Sequence, residues 1–289
     1  MTGPVRNLVA LVVAVAVAVA LVTVAIDVRP VGASPAVAPA PEVTPPRPEP
    51  EPAPQALKVE VLATRPHDRD AFTEGLVFAD RSRLYESTGL YGDSELREVE
   101  LATGRVLRRA SLPGKDFGEG LAFSDPRHLV QLTYRENRAW SWATRSFRRE
   151  KAFTYAGEGW GLARWNARRR LVMSDGSDRL VLLDPRDYRV RGTVRVRNGA
   201  AAATGLNELE VVGNTAYANV FPTDSIDRID LRTGRVTGVV DASELHRAAN
   251  VPFRDVLNGI AHRPGDPADV LWLTGKNWPV MFQVRVGAP

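Results

Sequence analysis

Polar and aromatic side chains that could do chemistry stand beside a short apolar motif that recurs five times in the chain. The copies read Glu74-Gly-Leu-Val-Phe, Glu119-Gly-Leu-Ala-Phe, Trp160-Gly-Leu-Ala, Asn207-Glu-Leu-Glu and Asn258-Gly-Ile-Ala. Carboxylates can transfer protons, and an asparagine amide can donate hydrogen bonds to a substrate and accept them. Such groups need partners or a ligand when they lie in a poorly hydrated place. We therefore take the first residues of the first four copies as candidate site residues.

The basic residues add one more candidate. Only four of the 38 Lys+Arg residues are lysines, and Lys276 stands in the string Thr274-Gly-Lys-Asn-Trp-Pro. An ammonium is a compact point donor, whereas a guanidinium is broad and planar. Cysteine is absent, which excludes disulfides, a thiol nucleophile and thiolate metal sites.

No metal site is recognisable in the sequence. The histidines have no ligand spacing, and we interpret each as a surface or turn residue: His67, His128, His246 and His262. Oxygen-rich turns can bind a structural calcium ion, but here their spacing matches no EF-hand loop, so we favour turn capping. These turns contain Asp93, Asp175, Asp178 and Asp184. We expect no metal and no cofactor.

Strands must position the candidate side chains. Short apolar runs are bounded by Gly, Asp, Pro and Ser, and helical periodicity is weak outside residues 242–249. The Leu or Ile of the motif recurs every 41 to 51 residues, which is the period of a four-stranded propeller blade. The sequence therefore predicts an all-β fold, a five-bladed β-propeller over residues 57–289. The first strands of such a ring converge, so the motif glycines also suit close packing.

The first 56 residues have a different character. Residues 8–26 are uncharged and mostly apolar, and at about 1.5 Å per residue they could just cross a bilayer as a helix. We predict a signal peptide or membrane anchor over residues 1–33, with cleavage and retention both open. Residues 34–56 hold nine prolines and predict an extended, disordered linker. We expect export to the periplasm or the extracellular space, with membrane contact only through an uncleaved N-terminal helix.

Composition excludes several classes of protein. The chain has 289 residues, 44% hydrophobic and 25% charged, which is typical of a globular protein and not of a fibrous or wholly disordered one. The formal net charge of +4 is too small and too dispersed to indicate nucleic-acid binding. We expect a monomer with no nucleic-acid partner.

Nine short strings, in order and at blade spacing, resemble the plant and bacterial type of glutaminyl-peptide cyclotransferase. They are Phe72-Thr-Glu-Gly-Leu, Leu84-Tyr-Glu-Ser-Thr-Gly, Phe117-Gly-Glu-Gly-Leu, Glu158-Gly-Trp-Gly-Leu, Ser174-Asp-Gly-Ser, Leu206-Asn-Glu-Leu-Glu, Ala218-Asn-Val, Val256-Leu-Asn-Gly-Ile-Ala and Thr274-Gly-Lys-Asn-Trp-Pro. The resemblance spans nearly all of residues 60–284. It implies a five-bladed propeller that converts the N-terminal glutaminyl residue of a peptide into pyroglutamate and releases ammonia. The zinc-dependent animal enzymes of the same activity are unrelated.

The resemblance also implies roles for individual residues. It places the general acid/base at Glu119 and assigns Lys276 and Asn207 to the substrate amide. The substrate-binding residues that it implies are Phe72, Glu74, Phe117, Tyr134, Trp160 and Phe221. The aromatic side chains would surround the apolar stem of the glutaminyl side chain, and Glu74 would be a polar contact at the mouth.

This sequence departs from the family pattern at three positions. The family often has Gln where Glu74 stands, and Trp where Tyr134 and Phe221 stand. Each replacement keeps a polar or aromatic character. We therefore expect altered affinity or peptide preference and unchanged chemistry.

The implied reaction suits these residue types. The α-amine attacks the amide carbon of the same residue, so the substrate itself supplies part of the proximity. One carboxylate can take the proton and return it to the departing ammonia, and we expect poorly hydrated surroundings to raise the pKa of Glu119. A fixed cation and an amide donor would stabilise the oxyanion by roughly 3 kcal/mol. A closed pocket predicts broad tolerance beyond the first residue of the peptide.

Two other functions stay open at this point. One is a non-catalytic exported propeller that binds a peptide or a cell-wall partner through the same funnel. The other is a lactonase-like hydrolase, which would need a metal ion in the channel.

Residues outside the candidate site have structural interpretations. We assign the remaining tryptophans of the strands to core packing: Trp140, Trp142, Trp165 and Trp272. We interpret Glu208 and Glu210 as ion-pair partners of the many arginines.

Overall fold

The structure is a computed structural model that describes residues 52–288. These residues form twenty-two β-strands, a 3-10 turn at Asn166–Arg168 and one α-helix, α1 (Ser243–Ala249). The all-β prediction and the short helix near residues 242–249 are confirmed. The predicted anchor and all but the end of the predicted linker lie outside the described residues. Within residues 52–288 no helix is long and apolar enough to cross a membrane.

The first strand is β1 (Gln55–Pro66), and three antiparallel sheets of four strands follow it along the chain. The first sheet contains β2 (Thr73–Phe78), β3 (Arg83–Thr88), β4 (Glu95–Glu100) and β5 (Val106–Ser111). The second contains β6 (Gly118–Asp125), β7 (His128–Thr133), β8 (Arg138–Ala143) and β9 (Arg148–Thr154). The third contains β10 (Leu162–Trp165), β11 (Arg170–Ser174), β12 (Arg179–Leu183) and β13 (Val190–Arg195). In each sheet the strands pair in sequence order.

The remaining strands and β1 form one larger sheet. These strands are β14 (Arg197–Asn198), β15 (Ala201–Ala202), β16 (Leu206–Val212), β17 (Thr215–Val220), β18 (Ser225–Asp230), β19 (Arg235–Asp241), β20 (Leu257–Ala261), β21 (Val270–Gly275) and β22 (Val280–Gly287). The main order is β16-β17-β18-β19-β1-β22-β21-β20. Strand β1 pairs antiparallel with β22 and parallel with β19. The sheet thus holds two further four-strand sets, β16–β19 and β20–β22 with β1.

The apolar residue of each motif copy belongs to the core. Five side chains are at most 2% exposed: Leu76, Leu121, Leu162, Leu209 and Ile260. Burial of such a side chain contributes about 2 kcal/mol. The predicted core tryptophans Trp142, Trp165 and Trp272 are also buried, whereas Trp140 is only partly buried.

Glycines let the first strands of neighbouring sheets approach closely. A Cβ atom on Gly75 of β2 would lie 2.6 Å from the backbone nitrogen of Leu121 in β6. A Cβ atom on Gly161, which precedes β10, would overlap the carbonyl oxygen of Asn207 in β16. Only glycine fits at such approaches, so the close-packing interpretation of the motif is confirmed at these two positions.

Candidate active site

Four of the five strands that carry the motif are irregular at the motif itself, whereas β10 pairs with β11 without a shift. Each of the four shifts register against the next strand of its sheet, and the shift brackets a polar motif residue: Glu74 in β2, Glu119 in β6, Asn207 in β16 and Asn258 in β20. A bulge leaves residues out of the hydrogen-bonded ladder and re-aims their side chains. Local backbone geometry therefore turns polar side chains of several strands away from their own sheets.

These side chains meet in one cavity of about 180 Å³. All nine residues that the sequence predicted as site residues line it: Phe72, Glu74, Phe117, Glu119, Tyr134, Trp160, Asn207, Phe221 and Lys276. Three of them lie on strands, namely Glu74 on β2, Glu119 on β6 and Asn207 on β16, and the other six lie in loops that flank strands of all five sets.

Glu119 is the candidate acid/base in this cavity. Glu119 is 6% exposed, and no group within residues 52–288 forms a hydrogen bond with its carboxyl oxygens. Burial raises the pKa of Glu119 well above its ordinary value, the negative charge of Glu74 acts in the same direction, and Lys276 opposes both. The predicted direction of the pKa shift is confirmed. A carboxyl group with a raised pKa and no partner is free to exchange a proton with a ligand.

Lys276 forms a buried ion pair with Glu74. Its Nζ donates to Glu74 Oε1 at 2.7 Å, while Asn258 Nδ2 donates to Glu74 Oε2 at 2.8 Å. Burial raises the pKa of Glu74, and Lys276 and Asn258 partly offset that rise. Glu74 lines the cavity and is 1% exposed. Its two oxygens are already occupied by protein groups, and it holds the lysine in place.

The loop that carries Lys276 is fixed by backbone hydrogen bonds. Lys276 N donates to Val256 O at 3.0 Å, and Asn277 N donates to Ala71 O at 2.8 Å. The Lys276 ammonium also lies over the ring of Phe72, 4.6 Å from its centroid, which is favourable for a cation. The ammonium therefore has a defined position at the cavity wall.

Asn207 presents an unused amide. The residue is 4% exposed, and its side chain has no hydrogen-bond partner within the described part of the chain. Its backbone is held because Ser174 Oγ donates to the Asn207 carbonyl oxygen at 2.7 Å. A buried polar group without a partner is costly, and a ligand in the cavity would satisfy it.

Aromatic rings form the walls. Phe72 and Phe117 meet with ring centroids 6.1 Å apart, Phe117 and Tyr134 at 5.8 Å, and Trp160 and Phe221 at 5.8 Å. Edge-to-face and tilted pairs of this kind are favourable beyond their buried area. Phe221 is 41% exposed, so the aromatic wall continues to the open side of the cavity.

A polar bridge connects the two halves of this wall. The Arg135 guanidinium lies 4.4 Å from the centroid of the Tyr134 ring and donates to Glu158 Oε1 at 2.8 Å. Trp160 Nε1 donates to Glu158 Oε2 at 3.0 Å. The cavity is thus ringed by side chains that hold one another in position.

We expect Glu74→Gln to move the acidic limb of the profile of kcat/KM against pH to lower pH. The amide removes a negative charge that raises the pKa of Glu119, and it leaves Lys276 to favour the Glu119 carboxylate. The deprotonated form of Glu119 then persists to lower pH. The profile of kcat/KM against pH measures this shift. An acidic limb that stays in place would show that Glu74 and Glu119 are not electrostatically linked.

A buried network that the sequence does not predict lies next to the Lys276 loop. His67 Nδ1 donates to the carbonyl oxygen of Trp278 at 2.7 Å, and His67 Nε2 lies 2.9 Å from Glu86 Oε1. Thr73 Oγ1 donates to the same Glu86 oxygen at 2.9 Å. Burial disfavours the imidazolium, but the Glu86 carboxylate, the Trp278 carbonyl and Asp68 together outweigh burial and raise the pKa of His67. This network joins the residue before Glu74 to the loop after β21.

Two of the histidine interpretations are wrong for the same reason. His67 is 7% and His246 is 8% exposed, although both were predicted at the surface or in turns. Both find polar partners inside the protein, since His246 Nδ1 lies 2.8 Å from Asp224 Oδ1.

The prediction that Glu208 and Glu210 pair with arginines is also wrong. Glu208 accepts from the backbone nitrogens of Leu76, at 3.3 Å, and Ile260, at 2.7 Å, and it thereby ties β16 to β2 and β20. Glu210 accepts from the backbone nitrogen of His262 at 3.0 Å. Burial raises the pKa of Glu208 well above its ordinary value and that of Glu210 to about 7.

No group of three or more His, Asp or Glu side chains within residues 52–288 is arranged to hold a metal ion. Three of the four acidic turn residues have other partners for their side chains. Asp175 and Asp184 each accept from a backbone nitrogen two residues further on, at 3.0 Å, and Asp178 pairs with Arg195 at 3.2 Å. The contacts of Asp175 and Asp184 agree with turn capping.

The fold and the cavity define an all-β protein in which converging strands enclose a carboxyl group, a lysine and an asparagine between aromatic walls. A family model described as glutamine cyclotransferase matches residues 35–286. The glutaminyl-peptide cyclotransferase of Arabidopsis thaliana is 37% identical over 233 residues, which is 79% of this chain and 71% of that protein. The crystal structure of Myxococcus xanthus glutaminyl cyclase is similar with a TM-score of 0.74 at 37% identity, covering 82% of this chain and 99% of that one. The chain belongs to the glutamine cyclotransferase family.

Proposed function

We propose that this chain converts the N-terminal glutaminyl residue of peptides and proteins into pyroglutamate and releases ammonia. The observation that carries the proposal is the Glu119 carboxyl group, which is buried and has no partner in residues 52–288. It shares its cavity with Lys276 and Asn207. The activity named for the Arabidopsis and Myxococcus relatives supports the same reaction.

The cavity suits a curled glutaminyl residue. The aromatic walls pack against the methylene stem and keep competing water away from the reacting atoms. The α-amine lies beside Glu119, and the side-chain amide lies beside Lys276 and Asn207. Binding thereby holds nucleophile and electrophile together, which is the main requirement of an intramolecular reaction.

The reaction needs one proton carrier and one oxyanion site. The amine nitrogen attacks the amide carbon, forming the ring C–N bond, and Glu119 takes a proton from that nitrogen. Negative charge develops on the former amide oxygen, where the Lys276 ammonium and the Asn207 amide stabilise it. Glu119 then returns the proton to the departing nitrogen, the exocyclic C–N bond breaks, and ammonia leaves. Side chains supply every step, so we propose a metal-independent mechanism.

The full-length chain should release ammonia from a peptide that begins with glutamine, in the presence of a chelator as well as in its absence. The same peptide with an acetylated N-terminus, or with glutamine in second place, should not react, because no free α-amine then reaches Glu119. Mass spectrometry and an ammonia assay measure the product. Release no faster than the uncatalysed background would refute the function. Loss of activity with the chelator would refute metal independence, whereas activity that persists with the chelator would remove the lactonase-like alternative.

We infer further that the five four-strand sets close into a five-bladed propeller. The close approaches of Gly75 to β6 and of Gly161 to β16 support this arrangement. Glu208 also links β16 to β2 and β20 by hydrogen bonds to their backbones. Strand β1 beside β22 would close the ring by completing the last blade.

We also propose that the protein is exported and that it is a monomer. Residues 8–26 support export because they form an uncharged, mostly apolar stretch next to Arg6. The segment is either removed or kept as an anchor. N-terminal sequencing of the protein from its native membrane and soluble fractions distinguishes the two.

A further inference from the structure

The loop between β3 and β4 extends the apolar wall of the cavity onto the protein surface. It presents two consecutive large side chains, Leu90 and Tyr91, which are 42% and 54% exposed. The Tyr91 ring packs edge-on against Phe117, with centroids 5.4 Å apart. Tyr91 Oη donates to Glu136 Oε1 at 3.0 Å. Tyr91 is therefore held in a fixed orientation beside a ring that lines the cavity.

The backbone of this loop is strained at Leu90. Its φ angle is +84°, and residues other than Gly and Asn rarely adopt this backbone conformation. The conformation is held because Ser94 Oγ donates to the Leu90 carbonyl oxygen at 2.7 Å, and Gly89 N donates to Phe72 O at 2.8 Å. An exposed leucine gains little burial that would offset such strain. Strain of this kind is characteristic of functional sites.

The proposed reaction sets the direction in which a peptide leaves the cavity. The α-amine must lie beside Glu119, and the side-chain amide must lie on the side of Lys276 and Asn207. The Cα atom, and the peptide chain attached to it, is therefore on the Glu119 side. The residue next to the strand that carries Glu119 is Phe117, and Tyr91 packs on Phe117. A path over Phe117 towards Leu90 and Tyr91 would therefore carry the second residue of the substrate from the Glu119 side of the cavity to the surface.

We propose that Leu90 and Tyr91 form an apolar subsite for the side chain that follows the N-terminal glutamine. This inference rests on the proposed function and refines it: the enzyme accepts many peptides but favours an aliphatic or aromatic second residue. The subsite is open to solvent. It therefore changes the relative kcat/KM of different peptides and excludes none of them.

The test compares kcat/KM for two peptides that differ only in the second residue, Gln-Leu and Gln-Gly, each with the same remaining sequence. The wild-type chain should favour the Gln-Leu peptide by about fivefold to tenfold, mainly through KM. The double variant Leu90→Asn/Tyr91→Ser should reduce this preference to less than about twofold. Asparagine tolerates a positive φ, so the single variant Leu90→Asn should melt at the wild-type temperature or above it while losing part of the preference.

A matched control removes an exposed aliphatic side chain elsewhere. Val190 on β13 is 59% exposed, and Val190→Asn should keep the full preference. A wild-type chain that turns over both peptides equally, or a double variant that keeps the preference, would overturn the subsite. Failure to turn over either peptide would instead overturn the proposed function, so the two failures are distinguishable.

Discussion

The variant Glu119→Gln is expected to lose about a thousandfold in kcat, within the range found for removal of a general acid/base. Glutamine has nearly the same shape as glutamate, so the cavity and its aromatic walls should persist. An amide cannot take a proton from the attacking amine and return it to the departing ammonia. The rate of ammonia release from a Gln-initiated peptide at saturating concentration measures the loss.

The same variant should be at least as stable as the wild type above neutral pH. Because the pKa of Glu119 is raised in the folded protein, the folded state binds more protons than the unfolded state once the pH exceeds the ordinary carboxyl pKa. Stability therefore falls as the pH rises through that window, and the uncharged amide avoids this loss. Thermal unfolding at pH 8 checks the sign and separates lost chemistry from lost folding.

A distant carboxylate serves as the control for this substitution. Glu244 in α1 has a side chain that is 73% exposed, and Glu244→Gln should keep both activity and stability. Wild-type turnover by Glu119→Gln would remove Glu119 from the mechanism. Peptide binding without turnover in the wild-type chain would favour the alternative of a non-catalytic binding protein.

The lining of the cavity could be predicted from the sequence because its determinants are local. A recurring Gly-Leu pair marks the strand that converges with its neighbours, and the polar residue beside the glycine falls at the register shift. The interval between copies, together with the family resemblance, places Glu119 and Asn207 in the same cavity as Lys276 without any knowledge of distances. The aromatic walls depended on the resemblance, since an isolated Phe117 or Trp160 has no feature that separates it from a core residue.

The pairing of these side chains could not be predicted in the same way. Glu74 and Lys276 lie 202 positions apart, and their contact depends on how the first and last strand sets meet. The composition also gave a wrong prediction for Glu208 and Glu210, because a chain rich in arginine offers an ion-pair partner to every glutamate. Glu208 and Glu210 instead satisfy backbone nitrogens of other strands. The sequence gives no sign of this, because Glu208 and Glu210 alternate with Leu209 and Val211, a pattern that is typical of a strand with one face towards solvent.

Lys276→Met is expected to lower kcat by about a hundredfold to a thousandfold, the usual cost of removing one oxyanion donor. It should also lower the free energy of unfolding at neutral pH by about 3 to 5 kcal/mol, because removal of one partner leaves a buried charge uncompensated. That charge is the carboxylate of Glu74, which is 1% exposed and would keep only the hydrogen bond from Asn258. Chemical unfolding and steady-state kinetics measure the two effects separately.

The double variant Glu74→Gln/Lys276→Met separates the two roles of the lysine. The uncharged amide at position 74 needs no cation, so most of the lost stability should return. Activity should stay low, because the oxyanion still lacks its ammonium. The stability of Lys276→Met alone should rise as the pH falls, since protonation of Glu74 then removes the unpaired charge. Recovery of wild-type turnover in the double variant would mean that Lys276 serves only to neutralise Glu74, and that Asn207 alone stabilises the oxyanion.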